Sequence, residues 1–377
     1  MSDIHIVPVI DKALLKRFIL LPERLHKNDP TYIAPLHMER EEALSQKNPF
    51  FAHAKVQFWL AVRAGRDVGR ISAQIDTLAQ SIRSDAPGQF GMLAAENDPE
   101  IFTALFTTAR NWLRENGMTR IQGPFNLCIN EETGALVEGF DTPPMLLMPH
   151  DLPYIGPQIE AQGLRKVKDV YAYLYDMRVE LPQSVQRLLT RELPPGITVR
   201  QLSLKNIKEE VKHVTSIFND AWTENWGFVP LTEAETDYMG KSMKPLLNPR
   251  MTSLVERHGE PIAFMIALPN LNEAIKGLDG KILPFGWAKL LWRLKVAGVK
   301  TARVPLMGVR RSVAKDMINS LLPYIMIDMV RREGLKMGFT HIELSWILED
   351  NLPMRRMIES LDAKLYKTYR LYEDALV

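Results

Sequence analysis

The densest group of polar side chains in the sequence lies in a predicted loop that follows a short strand, Arg120–Gly123. Its members are two amides, two adjacent carboxylates, an imidazole and a phenol: Asn126, Asn130, Glu131, Glu132, His150 and Tyr154. A carboxylate or neutral imidazole can take a proton from an ammonium group and so create a nucleophile. We predict that the two glutamates and the histidine are candidate bases, and that the amides and the tyrosine contact a substrate. The alternative is a loop stabilised by Asn and Gly, with its acids in solvent.

A second cluster, from Phe218 to Pro230, is rich in aromatic side chains. Trp222, Trp226 and Phe228, with Asn225 among them, could line an apolar slot for an acyl chain or a long-chain base. The alternative is that the aromatic rings belong to the core beneath a long loop, which is the more usual place for them.

Three basic residues, Arg310, Arg311 and Lys315, lie between a predicted strand, Ala302–Val309, and a predicted helix, Met317–Gly334. The free N–H groups at a helix start attract phosphates, and basic side chains add charge to such a site. This pattern predicts contacts with phosphate groups. The segment has no glycine, so the alternative is a solvated basic helix start.

The composition is that of a packed globular protein. The chain has 377 residues, of which 46% are hydrophobic and 24% charged, and its net charge of +2 gives no reason to expect nucleic acid as a partner. The single cysteine, Cys128, cannot form an internal disulfide. No apolar run approaches the roughly 20 residues of a membrane span, and the first residues do not resemble a signal peptide. We therefore expect a cytoplasmic protein.

The predicted elements fall into two halves with the same order. Each half reads as strand, helix, antiparallel hairpin, strand, helix, strand, helix and strand, which predicts an α/β (α+β) fold with a mixed, mostly antiparallel sheet. Prolines and a Pro-Pro-Gly triplet between residues 181 and 196 favour a linker there. We predict an N-terminal domain over residues 1–180 and a C-terminal domain over residues 197–377, with a helical insertion over residues 271–298.

This order resembles the fold of the GNAT superfamily of N-acetyltransferases, repeated in tandem. The strongest resemblance is the end of the chain, where the strand and turn Glu343–Asn351 lead into a short helix and an aromatic strand with Tyr366. In that superfamily two strands splay apart here and the pantetheine of acyl-CoA lies in the gap. The resemblance implies that Asn351 and Tyr366 lie near the cofactor. The alternative for Asn351 is that it only caps the next helix.

Three segments resemble one family within that superfamily: the loop Gly123–Gly134, the segment Asn219–Pro230 and the C-terminal segment Leu348–Tyr372. It is a group of bacterial GNAT-like proteins that includes bacterial ceramide synthases, which join a fatty acyl group from acyl-CoA to the amine of a sphingoid base. The resemblance implies an acyl-CoA-dependent N-acyltransferase of lipid metabolism, with acyl-CoA and a lipid amine as its partners and no metal. It implies that the C-terminal half holds the acyl-CoA and that the Asn126–His150 loop faces the same cleft.

The insertion contains a basic amphipathic segment, Leu283–Lys295, in which two tryptophans accompany leucines and Lys or Arg. Such a segment can lie in a membrane interface, where a lipid acceptor would be found. We therefore predict peripheral contact with the cytoplasmic face of the inner membrane; the alternative is an ordinary helix packed on its domain. Two other functions stay open: a GNAT enzyme acting on a soluble amine, and an inactive tandem module that binds a lipid or a partner.

Overall fold

The computed structural model describes residues 3–313 and 320–376, which form two compact units. Unit 1 consists of Met1–Val170, Ile275–Trp287 and Lys367–Val377, and unit 2 of Tyr171–Ala274 and Ala288–Tyr366. The chain passes from one unit to the other inside strands β9 and β15, defined below. Each unit combines helices with a mixed, mostly antiparallel sheet, which confirms the predicted fold class.

Unit 1 has an antiparallel succession of strands followed by one parallel pair. Its strands are β1 (Ile4–Pro8), β2 (Ala54–Arg63), β3 (Arg66–Asp76), β4 (Gly88–Ala95), β5 (Arg120–Gly123), β6 (Phe125–Asn126), β7 (Glu132–Thr133), β8 (Ala135–Glu138), the first part of β9 (Arg165–Asp176) and most of β15 (Lys364–Ala375). Its helices are α1 (Lys12–Leu25), α2 (His37–Ala43), α3 (Thr77–Ile82), α4 (Pro99–Glu115) and α5 (Ile155–Ala161). Strands β1 to β4 pair antiparallel in sequence order, and β4 pairs parallel with β5.

Unit 2 repeats that succession. Its helices are α6 (Gln183–Leu189), α7 (Ile207–Trp222), α8 (Glu233–Met243), α9 (Leu271–Ile275), α10 (Gly286–Trp292), α11 (Leu322–Lys336) and α12 (Leu352–Glu359), of which α9 and α10 begin or end across the unit boundary. Its strands are the second part of β9, β10 (Ile197–Arg200), β11 (Thr252–Arg257), β12 (Glu260–Pro269), β13 (Thr301–Val309), β14 (His341–Leu348) and the start of β15. Strands β10 to β13 pair antiparallel in order, and β13 pairs parallel with β14.

Helix α4 illustrates how the sequence specifies these elements. Asp98 caps it by accepting a hydrogen bond from the Glu100 N–H at 2.9 Å, and Pro99 occupies its first turn, where no N–H is needed. Apolar side chains recur at helical spacing along one face, and six of them are buried in unit 1: Ile101, Phe102, Leu105, Phe106, Ala109 and Leu113. The helix therefore packs one apolar face on the sheet, as the sequence predicts.

Some elements differ from the prediction because they depend on tertiary contacts. The short helices α2 and α3 and the helix α8 are not among the predicted elements. In the insertion, α10 covers only Gly286–Trp292, and a π-helical turn, Arg293–Ala297, follows it. The predicted helix over Met317–Gly334 corresponds to α11, Leu322–Lys336, and residues 317–319 of that prediction lie outside the described residues.

Candidate active site

The parallel pair at the centre of unit 2 opens into a gap. Strands β13 and β14 pair through four residues, the last pair being Val304 with Leu344. Pro305 follows, and its lack of an N–H removes a ladder hydrogen bond. Beyond it β13 remains paired with β12, through Leu306 to Val309, while its pairing with β14 has ended. This is the splayed geometry that the resemblance to GNAT proteins predicts.

A pocket of about 580 Å³ occupies this gap, which we call the splayed-strand pocket. Its volume lies within the range of about 300–1,000 Å³ that is usual for sites that take small molecules. Its walls are the ends of β13 and β14, with α7, α11 and α12 around them, and most of the lining is apolar. Representative lining residues are Met307, Tyr324, Ile327, Trp346, Leu348 and Met357.

Three of the predicted site residues line this pocket: Trp222, Asn225 and Asn351. The Trp222 indole N–H donates to the Met307 carbonyl at 3.1 Å, and its ring meets the Trp346 ring edge-on at 5.4 Å. Asn351 also caps α12, because its side-chain oxygen accepts from the Met354 N–H at 3.2 Å. Both interpretations of Asn351, as a cap and as a pocket residue, are therefore compatible with the structure.

The other predicted residues of unit 2 lie in different surroundings. The Phe228 ring packs on Phe218 at 5.9 Å in a small core cluster, and Trp226 is half-buried. The Tyr366 hydroxyl donates to the carboxylate of Glu343, which is fully buried beside Arg303. The Tyr366 hydroxyl is therefore hydrogen-bonded to a buried ion pair.

The two described basic residues of the predicted phosphate loop are engaged by the protein. Arg310 donates to the Pro261 carbonyl and to the Ser216 hydroxyl, each at 2.9 Å. Arg311 lies against Asp220 and donates to the Glu224 carboxylate at 3.0 Å. Lys315 lies outside the described residues, so its predicted role is open.

In unit 1 the corresponding parallel pair is β4 with β5, and the chain after β5 packs closely on β4. A Cβ on Gly91 would lie 1.7 Å from the Phe125 carbonyl oxygen, so the chain that follows β5 presses directly on β4. The Asn126 side chain accepts from the Met92 N–H at 2.7 Å and donates to Glu132 at 2.7 Å. Residues of the loop after β5 therefore lie directly against β4.

The other candidate residues of this loop differ in their surroundings. Asn130 and Glu131 lie in a half-buried turn, in which the Glu131 N–H donates to the Cys128 carbonyl at 3.1 Å. The Tyr154 hydroxyl donates to the Ala95 carbonyl at 2.7 Å, and burial raises its pKa to about 12. The His150 side chain is only 3% exposed, and its Nε2 lies 2.8 Å from the Asp29 carboxylate.

Three further polar residues of unit 1 cannot be recognised as candidate site residues from the sequence. Asp29 is a partner of His150, although 121 positions separate them. Arg70 donates to the Phe18 carbonyl at 2.6 Å, and burial lowers its pKa to about 10. Burial raises the pKa of Asp151 to about 7, although its hydrogen bond from the Leu136 N–H acts in the opposite direction. Only the neighbouring loop residues in the sequence point to Asp151, and nothing local points to the other two.

Comparison with known proteins identifies the family. The chain is 51% identical over 377 residues to the bacterial ceramide synthase of Caulobacter vibrioides, covering all of this chain and 98% of that protein. The chain belongs to the family of that protein. It is also 45% identical over 365 residues to Protein YghO of Escherichia coli K12, covering 97% of this chain and 93% of that one. No family model matches the sequence.

Solved structures agree on the fold. A tandem GNAT protein from the clavulanic acid biosynthesis pathway superposes with a TM-score of 0.58, covering 99% of both chains at 14% identity. A GCN5-related N-acetyltransferase from Sphaerobacter thermophilus gives 0.55, covering 100% of this chain and 96% of that one at 12% identity. At these identities the likeness concerns fold alone, and it confirms the tandem GNAT-like architecture.

The insertion leaves apolar side chains in solvent. Leu283 is 71% exposed and Phe285 78%, and Trp287, Leu291, Trp292 and Val296 are each at least half exposed. Leu290 and Leu294 pack partly against the core of unit 2. Within the described part of the chain, no helix combines the length and the apolar character that a bilayer span requires.

Proposed function

We propose that this protein is an acyl-CoA-dependent N-acyltransferase that joins a fatty acyl group to the amine of a sphingoid base. The observation that carries the proposal is the splayed-strand pocket between β13 and β14, which is open and mostly apolar. The choice of a sphingoid base as acceptor rests on the family, through the relative named bacterial ceramide synthase.

The pocket suits the donor for two reasons. Beyond Val304 and Leu344 the two strands no longer pair with each other, so an extended pantetheine arm can lie between them. The apolar lining, with Met307, Trp346 and Met357, suits an acyl chain, because burying each CH₂ group gains about 0.8 kcal/mol. Asn351 and Tyr366 remain candidate cofactor contacts, as do Arg310, Arg311 and Lys315 for the phosphates.

The proposed chemistry is direct attack by the amine nitrogen on the thioester carbonyl. The C–N bond forms, the C–S bond breaks, CoA leaves as its thiol and the amine loses a proton. The protein orients the two reactants and accepts that proton. Glu131, Glu132 and His150 are the candidate bases, and Asn126, Asn130 and Tyr154 the candidate acceptor contacts.

One observation favours a second function, an inactive module that binds a lipid or partner. Arg310 and Arg311 are both engaged by groups of unit 2, so a CoA phosphate would have to compete for them. Titration calorimetry separates the two possibilities. Acyl-CoA binding at one site per chain is the result expected for the transferase, and absence of binding would favour the module.

A matched pair of variants tests the location of that site. Met354→Trp replaces a methionine side chain by a bulkier indole ring in the splayed-strand pocket. It should weaken palmitoyl-CoA binding at least tenfold. Met329→Trp is the control, because Met329 is also half-buried but lines a separate groove beside α11. Equal affinities of the two variants would place the acyl-CoA site elsewhere and remove the main support for the proposal.

We propose further that the protein contacts the cytoplasmic face of the inner membrane through the insertion. The exposed side chains of Phe285, Trp287 and Trp292 lie close in sequence to Lys281, Lys289 and Lys295. Aromatic and aliphatic side chains favour the interface of a bilayer, and lysines favour its anionic headgroups. A sphingoid base partitions into the same interface, so such contact would bring the enzyme to its acceptor.

Flotation with phosphatidylglycerol–phosphatidylethanolamine vesicles tests this contact. The double variant Trp287→Glu, Trp292→Glu should lose most vesicle binding. The control is Ile10→Glu with Met38→Glu, which adds the same charge at two exposed apolar positions away from the insertion. If both double variants bind the vesicles as well as the wild type does, the membrane proposal is contradicted.

A further inference from the structure

The sheet of unit 2 separates two apolar clusters. Along β12, Phe264 and Ile266 belong to a cluster with side chains of α7, whereas Met265 and Ala267 belong to a cluster with side chains of α11 and α12. Because successive side chains of a strand point to opposite faces of the sheet, the two clusters lie on opposite faces. We call these faces the α7 side and the α11 side.

The splayed-strand pocket connects the two sides. Met307, Tyr324 and Met354, which pack on the cluster of the α11 side, line it. Trp222, which packs on the cluster of the α7 side, lines it as well. Since the pairing of β13 with β14 has ended there, the pocket passes through the sheet from one face to the other.

The pocket is open to solvent on the α11 side. Pro353 and Arg356, both on α12, line it there and are exposed. In the part of the chain that the structure describes, the Arg356 guanidinium makes no ion pair or hydrogen bond with another protein group. Burying the charged phosphates of CoA would be costly, so they remain at this exposed mouth and the apolar part of the donor enters the pocket.

On the α7 side two indole rings line the pocket. Trp222 and Trp346 are both half-buried, and they meet edge-on with their ring centroids 5.4 Å apart. The Trp222 N–H donates to the Met307 carbonyl at 3.1 Å, and its ring packs at 5.0 Å on Phe218, which is buried in the core. Trp222 cannot turn aside without losing that hydrogen bond and that packing, so the pair forms a fixed wall.

We propose that the Trp222–Trp346 pair determines donor specificity by setting the longest acyl chain that the pocket accepts. The inference rests on the proposed N-acyltransferase function and adds to it the residues that select the fatty acyl group. Each CH₂ group that the pocket buries should raise kcat/KM about fourfold. Once the terminal methyl group reaches the indole rings, a longer chain must fold back or displace a ring, so kcat/KM should fall.

The size of an indole ring gives the size of the expected effect. A tryptophan side chain buries roughly 150–250 Å², which is the area of about five to eight CH₂ groups. Part of the Trp346 ring faces Trp222, so only about half of that area becomes available to a chain when the ring is removed. Trp346→Ala should therefore lengthen the preferred acyl chain by roughly four carbon atoms.

The first experiment measures kcat/KM for amide formation from sphinganine and a series of saturated acyl-CoAs, from acetyl-CoA to eicosanoyl-CoA. Trp346→Ala should move the optimum to longer chains, and Trp346→Phe should move it less, because a smaller ring remains. Ala221→Leu should move the optimum to shorter chains, because Ala221 lines the same pocket beside Trp222. Loss of stability lowers activity with every chain length alike, so it cannot produce shifts in opposite directions.

Trp112→Ala is the matched control. It removes one ring of another edge-on tryptophan pair, Trp59 with Trp112, whose centroids are 6.0 Å apart within unit 1. Trp112 is half-buried, as Trp346 is, and its loss should leave the optimum unchanged. The same optimum in the wild type, Trp346→Ala and Ala221→Leu, or an equal shift in Trp112→Ala, would overturn the proposal.

A binding experiment separates this inference from the function on which it rests. Titration calorimetry with the same acyl-CoA series, without an acceptor amine, should show the tightest Kd at a longer chain for Trp346→Ala than for the wild type. If that shift occurs and no amide forms, the wall is supported and the transferase is overturned. If amide forms with one optimum in all variants, the transferase is supported and the wall is overturned.

Discussion

Replacing Asp151 with asparagine should stabilise unit 1, and the gain should grow with pH. Burial raises the pKa of this carboxyl from 3.8 to about 7, so it binds its proton more tightly in the folded than in the unfolded chain. Stability from that proton is complete below about pH 4 and is lost as the pH rises toward 7. Asparagine is nearly isosteric, and its oxygen can still accept the 2.8 Å hydrogen bond from the Leu136 N–H.

The size of the effect follows from those two pKa values. With 1.36 kcal/mol for each tenfold shift in proton affinity, ionisation of Asp151 destabilises the folded unit by roughly 1.5 kcal/mol at pH 5 and roughly 4 kcal/mol at pH 8. The advantage of Asp151→Asn over the wild type should therefore increase by about 2–3 kcal/mol between these pH values. The increase with pH is the informative quantity, because differences in packing between Asp and Asn are the same at both.

The assay must report on unit 1 alone, since a chain with two compact units need not unfold in one step. Hydrogen exchange in urea, read from peptides of β3, gives the free energy of opening of that unit. Asp141→Asn is the control, because Asp141 is an exposed acid in the same loop. A gain for Asp151→Asn that is independent of pH, or an equal pH-dependent gain for Asp141→Asn, would refute the argument from burial.

Two other substitutions test the packing around the sites. Gly91→Ala should destabilise unit 1 by about 3 kcal/mol or more, because its Cβ would lie 1.7 Å from the Phe125 carbonyl oxygen; a Tm equal to that of the wild type would contradict the close approach. Glu343→Gln should cost about 3–5 kcal/mol of unfolding free energy, because it removes the negative charge of a buried ion pair with Arg303, which is 3% exposed; a change below about 1 kcal/mol in urea denaturation would show that the pair is not buried in solution.

Much of the fold can be predicted from the sequence because the long elements are strongly patterned. The β2–β3 hairpin, helix α4 and helix α7 are all present in the structure at their places in the predicted order of elements. Short elements such as α2 have too few residues to show a period. Their positions are fixed by tertiary contacts, such as the hydrogen bond from the His37 N–H to the Gly280 carbonyl.

The candidate sites are harder to predict from the sequence than the fold is. Trp222, Asn225 and Asn351 are chosen on residue type and family resemblance, and they line one pocket. Pro305, in the middle of a strand, is the local signal that the strands part there, and it is easily overlooked. The contact between Asp29 and His150 joins residues 121 positions apart, so no local pattern can reveal it.

The same limit applies to burial. Asp151 is one acid among several in a polar loop, and only the folded structure shows that it is desolvated, which raises its pKa, whereas Asp141 is exposed. Likewise Gly91 matters because of a backbone oxygen that arrives from the loop after β5. Such features depend on what surrounds a residue, and a single sequence does not contain that information.

The proposed activity of the protein is transfer of a fatty acyl group from acyl-CoA to a lipid amine. The most direct test incubates the purified chain with palmitoyl-CoA and a panel of amines, including sphinganine and its 3-keto form, and follows the products by mass spectrometry. We predict time-dependent formation of the N-acyl sphingoid product with stoichiometric release of CoA. CoA release that never exceeds the rate without enzyme, for every amine in the panel, would contradict the account.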